Sequence, residues 1–160
     1  MYKRILVPVD GSHTSTLGLQ EALRIAKDQR ARIRLISVVD EYVLAQNFEG
    51  YINAGDLIGA LRGSGKKAIA NALALARKSS IKADSVLYES VGNDVADIVN
   101  REAKKWKADL VVMGTHGRSG FNRMMFGSAA EEILRTTTVS VLIVRTQSPV
   151  RTARKRAAKK

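Results

Sequence analysis

At 160 residues, with 45% hydrophobic and 26% charged side chains, the chain has the size and composition of one globular domain. Cysteine is absent, which excludes disulfides, a thiol nucleophile and a thiolate metal site; no apolar run approaches the ~18 residues of a membrane span. The net charge of +12 invites a nucleic-acid partner, but Arg151, Arg154, Lys155, Arg156, Lys159 and Lys160 crowd six cations into the last ten residues and leave a moderately basic body.

Tyr2 to Val9 reads as a buried strand, with Ile5, Leu6 and Val7 in sequence and Pro8 near its end, where a lost backbone donor does least harm. The apolar stretch is too short for a signal peptide and stops at Asp10, so a cytoplasmic setting is expected. Asp10-Gly11-Ser12-His13-Thr14 is a turn, with Ser12 or Thr14 as helix cap. Leu19, Ala22, Leu23 and Ala26 then recur at helical spacing to about Gln29. Arg32 to Val39 is a second strand. Asp40 to Asn53 has no clear period and reads as a loop able to fold over a ligand. A long helix is expected from about Asp56 to Ser79, weakened in its first half by Gly59, Gly63 and Gly65.

Ala83 to Glu89 is a third strand, and Gly92-Asn93-Asp94 a turn with Asn93 as cap. Val95, Ile98, Val99 and Ala103 mark a helix ending near Trp106. Leu110 to Met113 is a fourth strand. A loop with Gly114, Gly117, Gly120 and Gly127 leads to a short helix opening at Ser128, which Thr136, Thr137 and Thr138 help to end. Val141 to Val144 is the fifth strand. This βαβαβαβαβ order implies an α/β fold with a parallel sheet and helices on both faces. Ligands in such sheets bind beyond the carboxyl ends of the strands, where strand order reverses. The loops after strands one and four, 8–14 and 114–128, carry the candidate chemistry.

Several motifs fail on inspection. Gly63-Ser64-Gly65-Lys66-Lys67 is not a phosphate-binding P-loop, because Ala60 and Lys67 stand where Gly and Ser or Thr are needed. Gly117-Arg118-Ser119-Gly120-Phe121 lacks the last glycine of a hydrolase nucleophile elbow. His13 and His116 are the only histidines, and no protein-only metal centre is expected. The glycine loop is different. Glycines let backbone approach an anion, and the helix opening at Gly127-Ser128 presents N–H groups at its positive end. Arg118 and Arg123 add cationic charge.

At these residues the chain resembles the universal stress protein family, in its nucleotide-binding branch. The family pattern of Gly, two residues, Gly, nine residues, then Gly with Ser or Thr falls on Gly114, Gly117, Gly127 and Ser128. The opening Ile5-Leu6-Val7-Pro8-Val9-Asp10-Gly11-Ser12 and the closing Val139-Ser140-Val141-Leu142-Ile143-Val144 match as well. The resemblance covers about residues 1–146 and leaves 147–160 as a basic, disordered tail. It implies an open, Rossmann-like five-stranded sheet in the order 3-2-1-4-5 and a homodimer paired through the fifth strand. It also implies an ATP site, with Mg2+ held through the phosphates. Pro8, Val9 and Asp10 would line the ribose side and Val38 the adenine. Met113, Gly114, Gly117, Arg118, Gly127, Ser128 and Ala129 would surround ribose and phosphates.

The function expected is a nucleotide-dependent regulatory or adaptor module in stress response, acting on an unknown protein partner. No catalytic residue is assigned, because no general base stands beside the phosphates, and slow ATP hydrolysis at most is expected. Two rivals remain. An adenine-nucleotide transferase of the same α/β class would need loop motifs such as His-x-Gly-His, and Thr115-His116-Gly117 is followed by Arg118 instead. An interaction module without nucleotide would use the basic tail on nucleic acid or an anionic membrane.

Overall fold

The computed structural model describes residues 1–40, 54–92, 94–115 and 127–145. Among the described residues nine elements follow one another: β1 (Arg4–Pro8), α1 (His13–Gln29), β2 (Arg32–Asp40), α2 (Ala54–Lys78), β3 (Ala83–Ser90), α3 (Val95–Trp106), β4 (Leu110–Gly114), α4 (Ser128–Thr136) and β5 (Ser140–Val144). The strands form one sheet in the order β3-β2-β1-β4-β5, and every pairing is parallel. The chain builds one half of the sheet through β3, then returns past β1 to lay down β4 and β5. The switch point therefore falls between β1 and β4.

Both faces of the sheet are covered, which is why its central strands read as unbroken apolar runs. Alternate residues point to opposite faces. Ile5, Val7, Ile33, Leu35, Leu110 and Val112 share a core with Leu19, Ala22 and Leu23 of α1 and Ala72 and Ala76 of α2. Leu6, Ile36, Val111 and Met113 pack on the other face, against Ala96, Val99 and Ala103 of α3 and Ile133 of α4. Among the described residues, no helix is long and apolar enough to cross a membrane.

Local chemistry sets the boundaries. Ser12 caps α1, its Oγ accepting from the Ser15 N–H at 3.1 Å. Arg30 and Lys107 end α1 and α3 in the left-handed region, each with φ 54°. Thr137 ends α4, donating its N–H to the Ile133 carbonyl at 2.9 Å. The cap of α3 is Asp94, not Asn93. Its carbonyl takes the Ile98 N–H at 3.0 Å, and its carboxylate is drawn back to the Ser90 hydroxyl at the end of β3. Helix α2 runs unbroken through Gly59, Gly63 and Gly65. Gly65 lies tight on the sheet: a Cβ there would meet Val39 Cγ2 at 2.9 Å and Leu87 Cδ1 at 3.0 Å. The expected lid at 41–53, Asn93, the loop residues 116–126 and the basic tail lie outside the described residues.

Candidate functional site

The site is assembled at the carboxyl edge of the sheet by close contact between α1 and β4. Gly18 of α1 faces the end of β4, where a Cβ would lie 3.0 Å from the Gly114 nitrogen and 3.1 Å from the Met113 carbonyl carbon. A Cβ on Gly114 would in turn lie 2.5 Å from the Thr14 carbonyl carbon. Two missing side chains thus let the first turns of α1 sit directly on the strand end. The turn preceding α1 is thereby held beside the end of β4.

That turn is built around Asp10. The Val9 N–H continues the ladder to the Ile36 carbonyl at 2.8 Å, and the chain then bends. Asp10 Oδ1 accepts the Ser12 N–H at 2.8 Å, the local bond that makes aspartate a turn former. Gly11 adopts φ +80°, which L side chains avoid. The Ser12 and Thr14 hydroxyls are 3.1 Å apart. Asp10 is half-buried, so a carboxylate is presented where β1 stops.

The opposite side comes from β4, β5 and α4. Thr115, only 3% exposed, donates its N–H to the Val144 carbonyl at 3.1 Å, and its own carbonyl accepts the Gly127 N–H at 3.0 Å. The chain therefore leaves at Thr115 and returns beside it at Gly127. Gly127 caps α4 and its carbonyl accepts from Glu131 at 3.0 Å. Beyond it, Ser128 is exposed and Ala129 half-buried in the first turn, where helix N–H groups have no intrahelical acceptor. The Gly127 N–H, expected from the sequence as an anion donor, is occupied by Thr115. The open donors begin at Ser128.

The remaining candidate residues divide by side-chain direction. Val9 and Met113 are core residues, 5% and 4% exposed and on opposite faces of the sheet, so only their backbone can meet a ligand. Pro8 is half-buried at the strand end. Val38 packs with Tyr88 and Ile36 on the face covered by α3 and α4. Gly114 serves helix packing first. His13 opens α1 and is exposed. Gly63 to Lys67 lie inside α2. Gly117, Arg118, His116, Ser119, Gly120 and Arg123 fall outside the described residues.

Away from this edge, the sequence reading overlooked an ionic cluster under α3. Arg34 makes a bidentate pair with Asp84 (2.5 and 3.0 Å) and a second pair with Glu102 at 2.9 Å. Glu102, 1% exposed, also accepts from the Tyr88 hydroxyl at 2.6 Å. The Arg34 guanidinium lies 4.9 Å from the centre of the Trp106 ring. The Asp84 hydrogen bonds raise the pKa of Arg34, against its partial burial, and the Glu102 carboxylate raises that of Tyr88. The signal was there in the parity: Arg34 and Asp84 occupy the same face as Ile36 and Val86. Only the β2–β3 register makes them partners.

Residues 1–145 match the model of the Universal stress protein family. A universal stress protein of Methanocaldococcus jannaschii is 34% identical over 149 residues, covering 91% of this chain and 83% of the relative. A solved family protein from Burkholderia pseudomallei is 30% identical, with a TM-score of 0.69, and the alignment covers 89% of this chain and 96% of that one. A universal stress protein solved in complex with cAMP is 25% identical, with a TM-score of 0.54 and coverage of 91% and 98%. Two more distant members share the fold. One from Archaeoglobus fulgidus was solved with dAMP (20% identity, TM-score 0.62, coverage 89% and 97%). One from Arabidopsis thaliana was solved with AMP bound (12% identity, TM-score 0.64, coverage 91% and 93%).

Proposed function

This chain belongs to the universal stress protein family, and we propose that it is an adenine-nucleotide-binding regulatory module that takes ATP with Mg2+ at the β1–β4 switch point. The observation that carries this reading is the meeting of two unlike groups at one edge. Asp10, a carboxylate suited to ribose hydroxyls, ends β1; the open N–H groups of α4, suited to phosphate, begin at Ser128. The contact of Gly18 with the end of β4 sets the Asp10 turn beside that strand end. Complexes of family members with cAMP, dAMP and AMP support adenine as the base.

In this reading the ligand acts through shape and partner choice rather than turnover. Phosphoryl transfer requires a positioned nucleophile and charge stabilisation together. Phosphate release should therefore run far below the ~10 s⁻¹ typical of enzymes. The setting is cytoplasmic and the assembly a homodimer. β5 is an edge strand whose Val141, Leu142, Ile143 and Val144 are each only partly buried. Pairing two such edges would satisfy their outward backbone groups. Sedimentation should then give twice the 17.5 kDa chain mass.

Calorimetry with Mg2+-ATP, AMP and cAMP tests the site, on the native chain and on Gly127→Val. Gly127 has φ −58°, which valine tolerates, and its N–H bond to Thr115 need not break. The added side chain should obstruct phosphate and weaken ATP by at least about tenfold, or ~1.4 kcal/mol. Equal affinity in both proteins would mean that the phosphates lie elsewhere.

A further inference from the structure

We propose that the first three turns of α2, residues 54–64, form a strap that opens locally from the rest of the fold and is drawn shut by bound nucleotide. The ligand coupling rests on the nucleotide reading above; the opening of the strap does not.

Helix α2 must deliver the chain to the start of β3, so its N-terminal half points toward the carboxyl edge of the sheet. Gly65 marks where it leaves the strands. A Cβ there would meet Val39 and Leu87, close to the ends of β2 and β3. One turn earlier, Arg62 reaches Glu89, the next-to-last residue of β3, at 2.6 Å. Residues 54–61 therefore run on past the strand ends, over about 12 Å at 1.5 Å per residue. The strap begins beside the site, because Ala68 Cβ lies 3.5 Å from where a Cβ on Gly11 would stand, in the Asp10 turn.

The two halves of this helix are held unequally. In the C-terminal half, Ala72 and Ala76 are buried in the core under α1, with Ile69 and Leu73 packed against it. In the strap, Leu57, Ile58 and Leu61 are half-buried and belong to neither core cluster. Gly59 and Gly63 have nothing within 4 Å of a would-be Cβ, so neither is required by close packing, and each weakens the helix relative to alanine. The Arg62–Glu89 pair leaves its side chains 46% and 44% exposed, where an ion pair contributes little. Few buried apolar contacts and a weak helix are the conditions for local opening.

A nucleotide supplies what the strap lacks. With its ribose at Asp10 and its base toward Val38, adenine would stand past the ends of β1 and β2, on the side from which the strap projects. Closure would lay Leu57, Ile58 and Leu61 along the flat base. A ligand that touches the strap only when it is shut favours the shut state by that difference in affinity. The regulatory module thereby gains a moving part that reports whether the site is filled.

Hydrogen exchange followed by NMR on the full chain tests both halves of the proposal. Amides of Ile58 to Ser64, whose helical acceptors lie within the strap, are compared with those of Ile69 to Ala76. Without ligand the strap amides should exchange at least about a hundredfold faster. Gly59→Ala with Gly63→Ala should slow them at least about tenfold. Saturating Mg2+-ATP should slow them by at least about tenfold in the native chain, whereas Mg2+-tripolyphosphate, which lacks the base, should not. Equal protection of the two sets in the free chain overturns the strap, and so does a double variant that exchanges like the native chain. ATP that binds by calorimetry yet leaves Ile58 to Ser64 unchanged overturns the coupling, as does tripolyphosphate that slows them as strongly. If calorimetry finds no ATP binding, the proposed function falls and the coupling with it, while the free-chain comparison still decides the opening.

Discussion

Glycines at two positions make opposite demands on the chain. Gly114 has backbone of α1 packed where its side chain would be, 2.5 Å from a would-be Cβ. Neither partner there is a flexible side-chain tip, so Gly114→Ala should push α1 off β4. The expected cost is about 3 kcal/mol, at the upper end for overpacking, read as a lower urea midpoint. Nucleotide affinity should fall with it, because the same contact holds the Asp10 turn beside the end of β4. Gly59, in α2, has nothing within 4 Å of its would-be Cβ. Gly59→Ala should stabilise the protein by about 0.5–1 kcal/mol through helix propensity and a less mobile unfolded chain. If both substitutions destabilise, the packing described around α2 is wrong. The family resemblance placed Gly114 around ribose and phosphates by its position in a pattern. Spacing can mark a required glycine without saying what occupies the freed space.

At the scale of elements, the Arg34 cluster ties β2, β3 and α3 together. Glu102 is held by Arg34 and Tyr88 and is almost wholly removed from water. Glu102→Ala leaves Arg34 short of a partner in a partly buried site and should cost about 3 kcal/mol. Tyr88→Phe removes one hydrogen bond to a charged group, at about 1.5 kcal/mol. It also gives a pH signature. Tyr88 is raised above its ordinary value of about 10 because its proton bridges to a carboxylate. In the unfolded chain it loses that proton first. Its contribution is therefore complete below pH ~10 and drains away as pH climbs through the folded value. Native and Tyr88→Phe stabilities should converge in that range; a gap that stays constant to high pH would show that the bond to Glu102 is unimportant. Sequence periodicity could not reveal this cluster, since Arg34 and Glu102 are 68 residues apart and meet only through topology.

For the whole molecule, the proposed nucleotide edge draws on both halves of the sheet. Asp10 lies in the turn after the first strand laid down, and Ser128 opens the last helix. Neither half alone holds the arrangement, so ligand binds the folded state only. Free ATP at a hundred times its dissociation constant should add about 2.7 kcal/mol to stability, seen as a rise in Tm. AMP, with one phosphate for the N-terminus of α4, should need a higher concentration for the same rise. A Tm indifferent to every adenine nucleotide would remove the proposed function and leave the fold untouched.

Local physics was legible in the residues before any fold existed. Apolar runs of four or five residues announced strands buried on both faces, Ser12 and Thr14 announced a cap that Ser12 fills, and three threonines announced the end of α4. Alternation of strand and helix then required a parallel sheet, because such crossovers lead back in the same direction. Each of these signals acts over one or two turns of chain, where sequence distance and spatial distance agree. Contacts between remote segments obey no such rule. The packing of Gly18 and Gly114, the pairing of the Gly127 N–H with Thr115 and the clamp of Glu102 on Arg34 all depend on which strands become neighbours and in what register. Burial and backbone pairing, acting over the whole sheet, made those choices.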